Sequence, residues 1–179
     1  MKRFKGKEID EYNLKGAALP GDYDPSGHAC EEVEACKVEF SSANGKRIHA
    51  WLAKPLGAGP FPAMLVLPGG GFASRPIPLE HARHGYLAID IQIHGQDVDL
   101  KEYPQIPGYF KVFVFAPTEA NYAHDMYLSA VQAVNYLLSR NDVDKLRVAA
   151  VGGSQGGRLS VTTAALHPQV KAIVPAIAH

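Results

Sequence analysis

Val148-Ala149-Ala150-Val151-Gly152-Gly153-Ser154-Gln155-Gly156-Gly157 is the stretch that decides how this chain is read. An apolar run enters a Gly-x-Ser-x-Gly sequence, and a helix-compatible segment leaves it. A strand that turns sharply into a helix over small residues lifts the serine side chain clear of the sheet and leaves helix N–H groups beside it. A serine hydroxyl is a weak nucleophile at neutral pH. It needs a base within hydrogen-bond reach and donors for the oxyanion that forms on the substrate. The turn supplies one donor, the backbone N–H of Gln155, at the start of a helix predicted over Gln155 to Leu166 and stopped by Pro168. Gly152, Gly156 and Gly157 are expected wherever strand and helix backbones approach too closely for a Cβ.

A second donor is expected from the loop after an earlier strand. Pro62-Ala63-Met64-Leu65-Val66-Leu67-Pro68 is a continuous apolar run, and Gly69-Gly70-Gly71-Phe72 follows it. Gly70, with Gly71 beside it, is the candidate. The glycine run lacks the Lys-Ser/Thr of a P-loop and the Gly-x-Gly-x-x-Gly of a dinucleotide site. The bland alternative is an ordinary flexible loop.

Outward from these two segments the pattern is consistent. Val33 to Phe40 and Arg47 to Lys54 alternate around Asn44-Gly45, which predicts a β-hairpin. Tyr86 to Ile93, Arg147 to Val151 and Val170 to Ile177 are short apolar runs suited to buried parallel strands. Ala123, Met126, Tyr127, Ala130, Val131, Val134, Leu137 and Leu138 step by three and four, which predicts a helix over about 119–140 with Thr118 as its N-cap. A hairpin followed by β-α-β-α-β implies a three-layer α/β sandwich on a mostly parallel sheet. Residues 1–32 are polar and rich in Gly, Pro and Asp, and are read as an irregular N-terminal wrap before a domain over 33–179.

The chain has 179 residues, 46% of them apolar, enough for one domain with a proper core. Lys plus Arg and Asp plus Glu number 18 each, so net charge gives no reason to expect nucleic acid or an anionic membrane. Nothing approaches the ~20 apolar residues of a membrane span, and the basic start lacks the apolar core of a signal peptide. A cytoplasmic protein and a mature secreted one both fit, so the compartment stays open. The two cysteines, Cys30 and Cys36, are too few for a disulfide scaffold and leave a single loop-to-strand disulfide open. No metal or other cofactor is implied.

Gly152-Gly153-Ser154-Gln155-Gly156-Gly157 resembles the Gly-x-Ser-Gln-Gly-Gly of acetyl xylan esterases and cephalosporin C deacetylases. That family carries Arg-Gly-Gln after a preceding strand, where this chain reads His94-Gly95-Gln96, and Asn141-Asp142-Val143-Asp144 also looks right before the serine strand. The resemblance covers about 33–179. It implies an α/β-hydrolase fold and removal of acetyl groups from decorated sugars or small esters through an acyl-enzyme. By resemblance Ser154 is the nucleophile and the backbone of Gln155 an oxyanion donor. The family's second donor comes from His-Gly-Tyr, matched by Pro68-Gly69-Gly70, so Gly70 keeps a backbone donor and loses any side-chain role.

In this fold the acid and histidine follow the serine in chain order. After Ser154 there is no Asp or Glu here, and the histidines are His167 and His179. The expectation is therefore an incomplete α/β-hydrolase domain, with an apolar sheet edge that invites a homo-oligomer. His179, just past the strand beside the serine strand, is the candidate base. His94, the His124–Asp125 pair, a partner subunit or a separate polypeptide are the alternatives. His28, His49, His81, His84 and His167 are read as structural or surface residues. A reading of another class stays open: an inactive fragment serving as a carbohydrate-binding or assembly module, with Tyr103, Tyr109, Phe110, Phe113, Phe115 and Tyr122 as a sugar-stacking surface or as ordinary packing.

Overall fold

The structure is a computed structural model, and it describes residues 1–5, 32–71, 74–102 and 122–177. Its strands are β1 (Lys2–Lys5), β2 (Glu32–Ser41), β3 (Arg47–Pro55), β4 (Phe61–Leu67), β5 (Leu87–Gln92), β6 (Val143–Gly153) and β7 (Val170–Ala176). Its helices are α1 (Leu79–Arg83), α2 (Tyr122–Ser139) and α3 (Gln155–Leu166). The strands form one sheet in the order β1-β2-β3-β5-β4-β6-β7. β1, β2 and β3 run antiparallel to their neighbours up to the β3–β5 pairing; β5, β4, β6 and β7 are mutually parallel.

The predicted hairpin forms around the Asn44-Gly45 turn, where Gly45 takes φ 80°. The four apolar runs become β4 to β7, and the second predicted helix is α3. The long helix runs Tyr122–Ser139; its predicted cap, Thr118, lies outside the described residues. Lys2–Lys5 adds an edge strand within the segment read as an irregular wrap, while residues 6–31 of that segment lie outside the described residues. Cys36 carries a free thiol, and Cys30 lies outside the described residues.

Side-chain alternation sends the two faces of the sheet to different cores. Ile48, Ala50 and Leu52 of β3, Leu65 of β4 and Ile89 and Ile91 of β5 face α2 and α3, against Met126, Val134, Leu137 and Leu159. Val33, Ala35 and Ala53 face the other way, with Phe4 and with Leu79 and Ala82 of α1. The result is helix, sheet, helix: the three layers of an α/β-hydrolase. Cover is uneven. From Lys171 onward β7 is exposed, with Val174 57% accessible, and Leu166 at the end of α3 is 58% accessible.

Candidate functional site

Parallel β5, β4 and β6 all end at one rim of the sheet, the place where α/β sheets bind ligands. Leu67 at the end of β4 is opposite Gly152 of β6, and Gly153 is opposite Ala176 of β7. Three turns therefore meet there: Pro68–Gly71 after β4, Ile93–Gln96 after β5, and Gly153–Gln155 after β6.

Ser154 is exposed at this rim. Its backbone lies at φ 52°, ψ −119°, a region that non-glycine residues rarely adopt. Such a conformation costs about 1–3 kcal/mol and persists only when its surroundings impose it. The surroundings are visible. The Ser154 N–H donates to the Ala176 carbonyl at 2.8 Å, and its carbonyl accepts from Arg158 N–H at 3.1 Å in the first turn of α3. A Cβ on Gly156 would lie 2.2 Å from the Leu67 oxygen, and one on Gly152 2.6 Å from the Gly156 carbonyl carbon. β6, α3 and the end of β4 are thus in backbone contact. The expectation that these glycines are steric holds for both.

Gln155 opens α3, so its N–H stands in the first turn, at the positive end of the helix dipole. Its side chain is turned away from the rim, with Nε2 donating to the Met126 sulfur at 2.8 Å. Gly70 is exposed in the loop directly after β4, one strand from Ser154, and Gly71 beside it takes φ 86°. Both predicted donor segments stand on strands adjacent in the sheet. The two strands themselves run about one spacing, ~5 Å, apart.

The histidines divide. His179 lies outside the described residues; β7, which leads to it, is the strand hydrogen-bonded beside β6. His94 lies in the turn two residues past β5, a strand two spacings or about 10 Å from β6 with β4 between them. Burial pulls its ring down to about 4, and the Arg75 cation adds to that, so it is neutral near pH 7 and a poor proton acceptor. His124 is exposed on α2, and Asp125 is engaged elsewhere: it accepts from Asn44 Nδ2 at 2.7 Å and pairs with Lys46 at the hairpin turn. His81 is held below its ordinary value by burial and by His84. His167 Nε2 bonds Asn135 Oδ1 at 3.0 Å, a structural link between α3 and α2.

One feature of the rim carried no signal in the sequence. Arg75 and Asp90 form a buried bidentate pair, Nε to Oδ1 at 2.5 Å and the second nitrogen to Oδ2 at 3.0 Å. Burial pushes the Asp90 carboxyl up, to about 6, against the opposing pull of Arg75. Among the described residues no three His, Cys, Asp or Glu side chains gather as a metal site, and no helix is long and apolar enough to cross a membrane. Of the six aromatic residues offered as a sugar-stacking surface, Tyr103, Tyr109, Phe110, Phe113 and Phe115 lie outside the described residues, and Tyr122 opens α2.

Comparison with known proteins follows the same lines. The family described as acetyl xylan esterase (AXE1) matches residues 4–179. The acetyl esterase Axe7A of Xylanibacter ruminicola is 33% identical over 138 residues, which is 71% of this chain and 31% of that protein. The acetyl xylan esterase of Paenibacillus sp. R4 superposes with a TM-score of 0.67 at 28% identity, over 96% of this chain and 57% of that one. Acetyl xylan esterase 1 of Thermoanaerobacterium sp. JW/SL YS485 shares the fold, with a TM-score of 0.64 at 23% identity, over 94% and 57% of the two chains. These 179 residues thus span between about a third and somewhat over half the length of the relatives they match.

Proposed function

This chain belongs to the acetyl xylan esterase family, and on that premise we propose that it is the nucleophile-bearing part of a serine acetylesterase acting on acetylated carbohydrates or small esters. The observation that carries this reading is Ser154: exposed, held at φ 52° by close glycine packing, and standing at the rim where parallel β4 and β6 end.

In the proposed reaction Ser154 Oγ attacks the acetyl carbonyl carbon while a base takes the hydroxyl proton. The carbonyl oxygen becomes an oxyanion, met by the N–H groups of Gln155 and Gly70. Collapse breaks the ester bond and returns the proton to the leaving sugar oxygen. Water then attacks the acetyl-serine by the same route and releases acetate. Loss of one oxyanion donor costs ~3–4 kcal/mol of transition-state stabilisation. The base in this reading is His179, or a histidine brought by polypeptide outside these residues. His94 is a poor choice, because burial, and after it the Arg75 cation, opposes an imidazolium. Purified chain is expected to hydrolyse p-nitrophenyl acetate, and Ser154→Ala to reduce that to the uncatalysed rate. Equal rates for the two proteins would sink the reading.

The open side of the sheet favours a second statement about assembly. Ile173 and Val174 of β7, with Val161 and Leu166 of α3, leave apolar surface uncovered next to an edge strand. We propose that a second copy of the chain covers it, which light scattering would register as twice the monomer mass. If oligosaccharide binding survives in Ser154→Ala while turnover is absent from both proteins, the module is a binding or assembly unit and not an enzyme.

A further inference from the structure

The Gly69–Gly71 loop has no side chains with which to hold itself, and glycine loses more freedom on ordering than any other residue. One end is fixed by β4, where Leu67 and Pro68 are buried against the elbow. The other end leads to Arg75, and Arg75 is fixed twice. Its backbone N–H donates to the Val98 carbonyl at 2.8 Å, in the segment after β5. Its guanidinium forks onto both oxygens of Asp90, with the two side chains 7% and 1% accessible.

Asp90 sits on β5 opposite Val66 of β4, one residue before the end of that strand. Its neighbours Ile89 and Ile91 face the α2–α3 core, so Asp90 points to the opposite side of the sheet. It therefore cannot meet a substrate at Ser154. A two-point charged fork also sets orientation, which a hydrophobic contact does not. The segment after β5 is itself tied back to β2, where Lys37 pairs with Asp97 at 3.2 Å and with Asp99.

We propose that Arg75, clamped by Asp90, is a positioning residue for the acyl-transfer reaction: it closes the glycine loop and so aims the Gly70 N–H at the oxyanion. The inference rests on the Ser154 reading given above, and its test separates the two. Replacing one member of a buried pair strands a charge, whereas replacing both by apolar residues of similar size is often tolerated. The Arg75→Met/Asp90→Leu double variant is therefore the informative protein, with Arg75→Lys as a second that keeps the charge and loses the fork.

Two properties of the full chain are measured. The first is the amide order parameter of Gly69 to Gly71, expected to fall in the double variant from about 0.85 toward 0.6 or below. The second is the rate at which a fluorophosphonate modifies Ser154, a reaction that forms the Oγ–P bond and expels fluoride. It is expected to slow ~10–100-fold, in line with a mispositioned oxyanion donor, while the thermal midpoint of the double variant stays near that of wild type. A folded double variant with rigid glycines and wild-type reactivity overturns the proposal. If the double variant does not fold, Arg75→Lys decides: mobile glycines support positioning, and glycines as rigid as in wild type overturn it. If the probe modifies wild type and Ser154→Ala equally, the Ser154 reading fails instead, and the order parameters still judge the role of Arg75.

Discussion

At the Ser154 turn the backbone is fixed by the absence of side chains, whereas one strand away the facing loop is tied down by a buried charge pair. Gly152 and Gly156 let β6, α3 and β4 touch through main-chain atoms. Around Asp90 the same rim spends two ionised side chains, taken out of water, on holding one stretch of loop. The contrast teaches where sequence tolerance ends. The elbow fails when a Cβ is added at Gly152 or Gly156, and the clamp fails when one half is removed.

The largest effect should come from adding a single methyl group at the elbow. Gly156→Ala places a Cβ 2.2 Å from the Leu67 oxygen, so the β4 end or the helix start must move. A loss of more than ~4 kcal/mol is expected, the scale reserved for severe core disruption. Chemical denaturation would check it. A loss under 1 kcal/mol would mean that the close approach is not what holds the turn.

Next comes Asp90→Asn. It leaves the Arg75 guanidinium buried beside a neutral partner and should cost ~3–5 kcal/mol, much of it recovered when Arg75→Met and Asp90→Leu are combined. A double variant as unstable as the single one would argue against a charge-pair origin. Calorimetry of the two proteins makes the comparison.

A smaller, pH-dependent effect belongs to His94. Folded, it takes up its proton only near pH 4; unfolded, near 6.5. Between those values the unfolded chain holds more protons, so this group's contribution to stability is present above pH 6.5 and is lost as pH falls toward 4. Asp90, raised to about 6 in the fold from 3.8, works the other way, losing its contribution as pH rises through that range. Only the difference between wild type and His94→Gln isolates the histidine. Melting curves between pH 4 and 7 should converge at the acid end, where wild type loses its advantage. Parallel curves would contradict the burial of a neutral ring.

The smallest effect is expected at Gly153, the elbow glycine that space does not demand. The nearest atom a Cβ would meet there is the Ala176 oxygen at 3.9 Å, an ordinary contact. Gly153→Ala should change stability by less than ~1 kcal/mol, the range seen when alanine fits the native backbone. Set beside Gly156→Ala, it turns one motif into two positions with opposite tolerance.

Much of this was legible in the sequence because it is local. The elbow, α3, the hairpin and the apolar strands each announce themselves within a dozen residues. The sequence marks β6 only from Arg147 onward. Its first half, Val143 to Leu146, carries Asp144, Lys145 and an exposed leucine, which break the apolar run. β1 is four residues with three charges, and takes its place by pairing Arg3 with Glu34 and Lys5 with Glu32 across the sheet edge. α1 is too short to show a period. The Arg75–Asp90 pair was invisible for a different reason. Asp90 reads as a polar interruption of an apolar run, and Arg75 lies in a proline-rich loop. They become partners only when β5 folds back beside the β4 loop.

The central claim is that Ser154 forms an acyl-enzyme. Rapid quenching of the full chain after mixing with p-nitrophenyl acetate, followed by peptide mass mapping, tests it most directly. An acetyl group on the Ser154 peptide, absent from Ser154→Ala and chased by water, is the predicted result. Acetylation spread over lysines alone, with the Ser154 peptide unmodified, would contradict it.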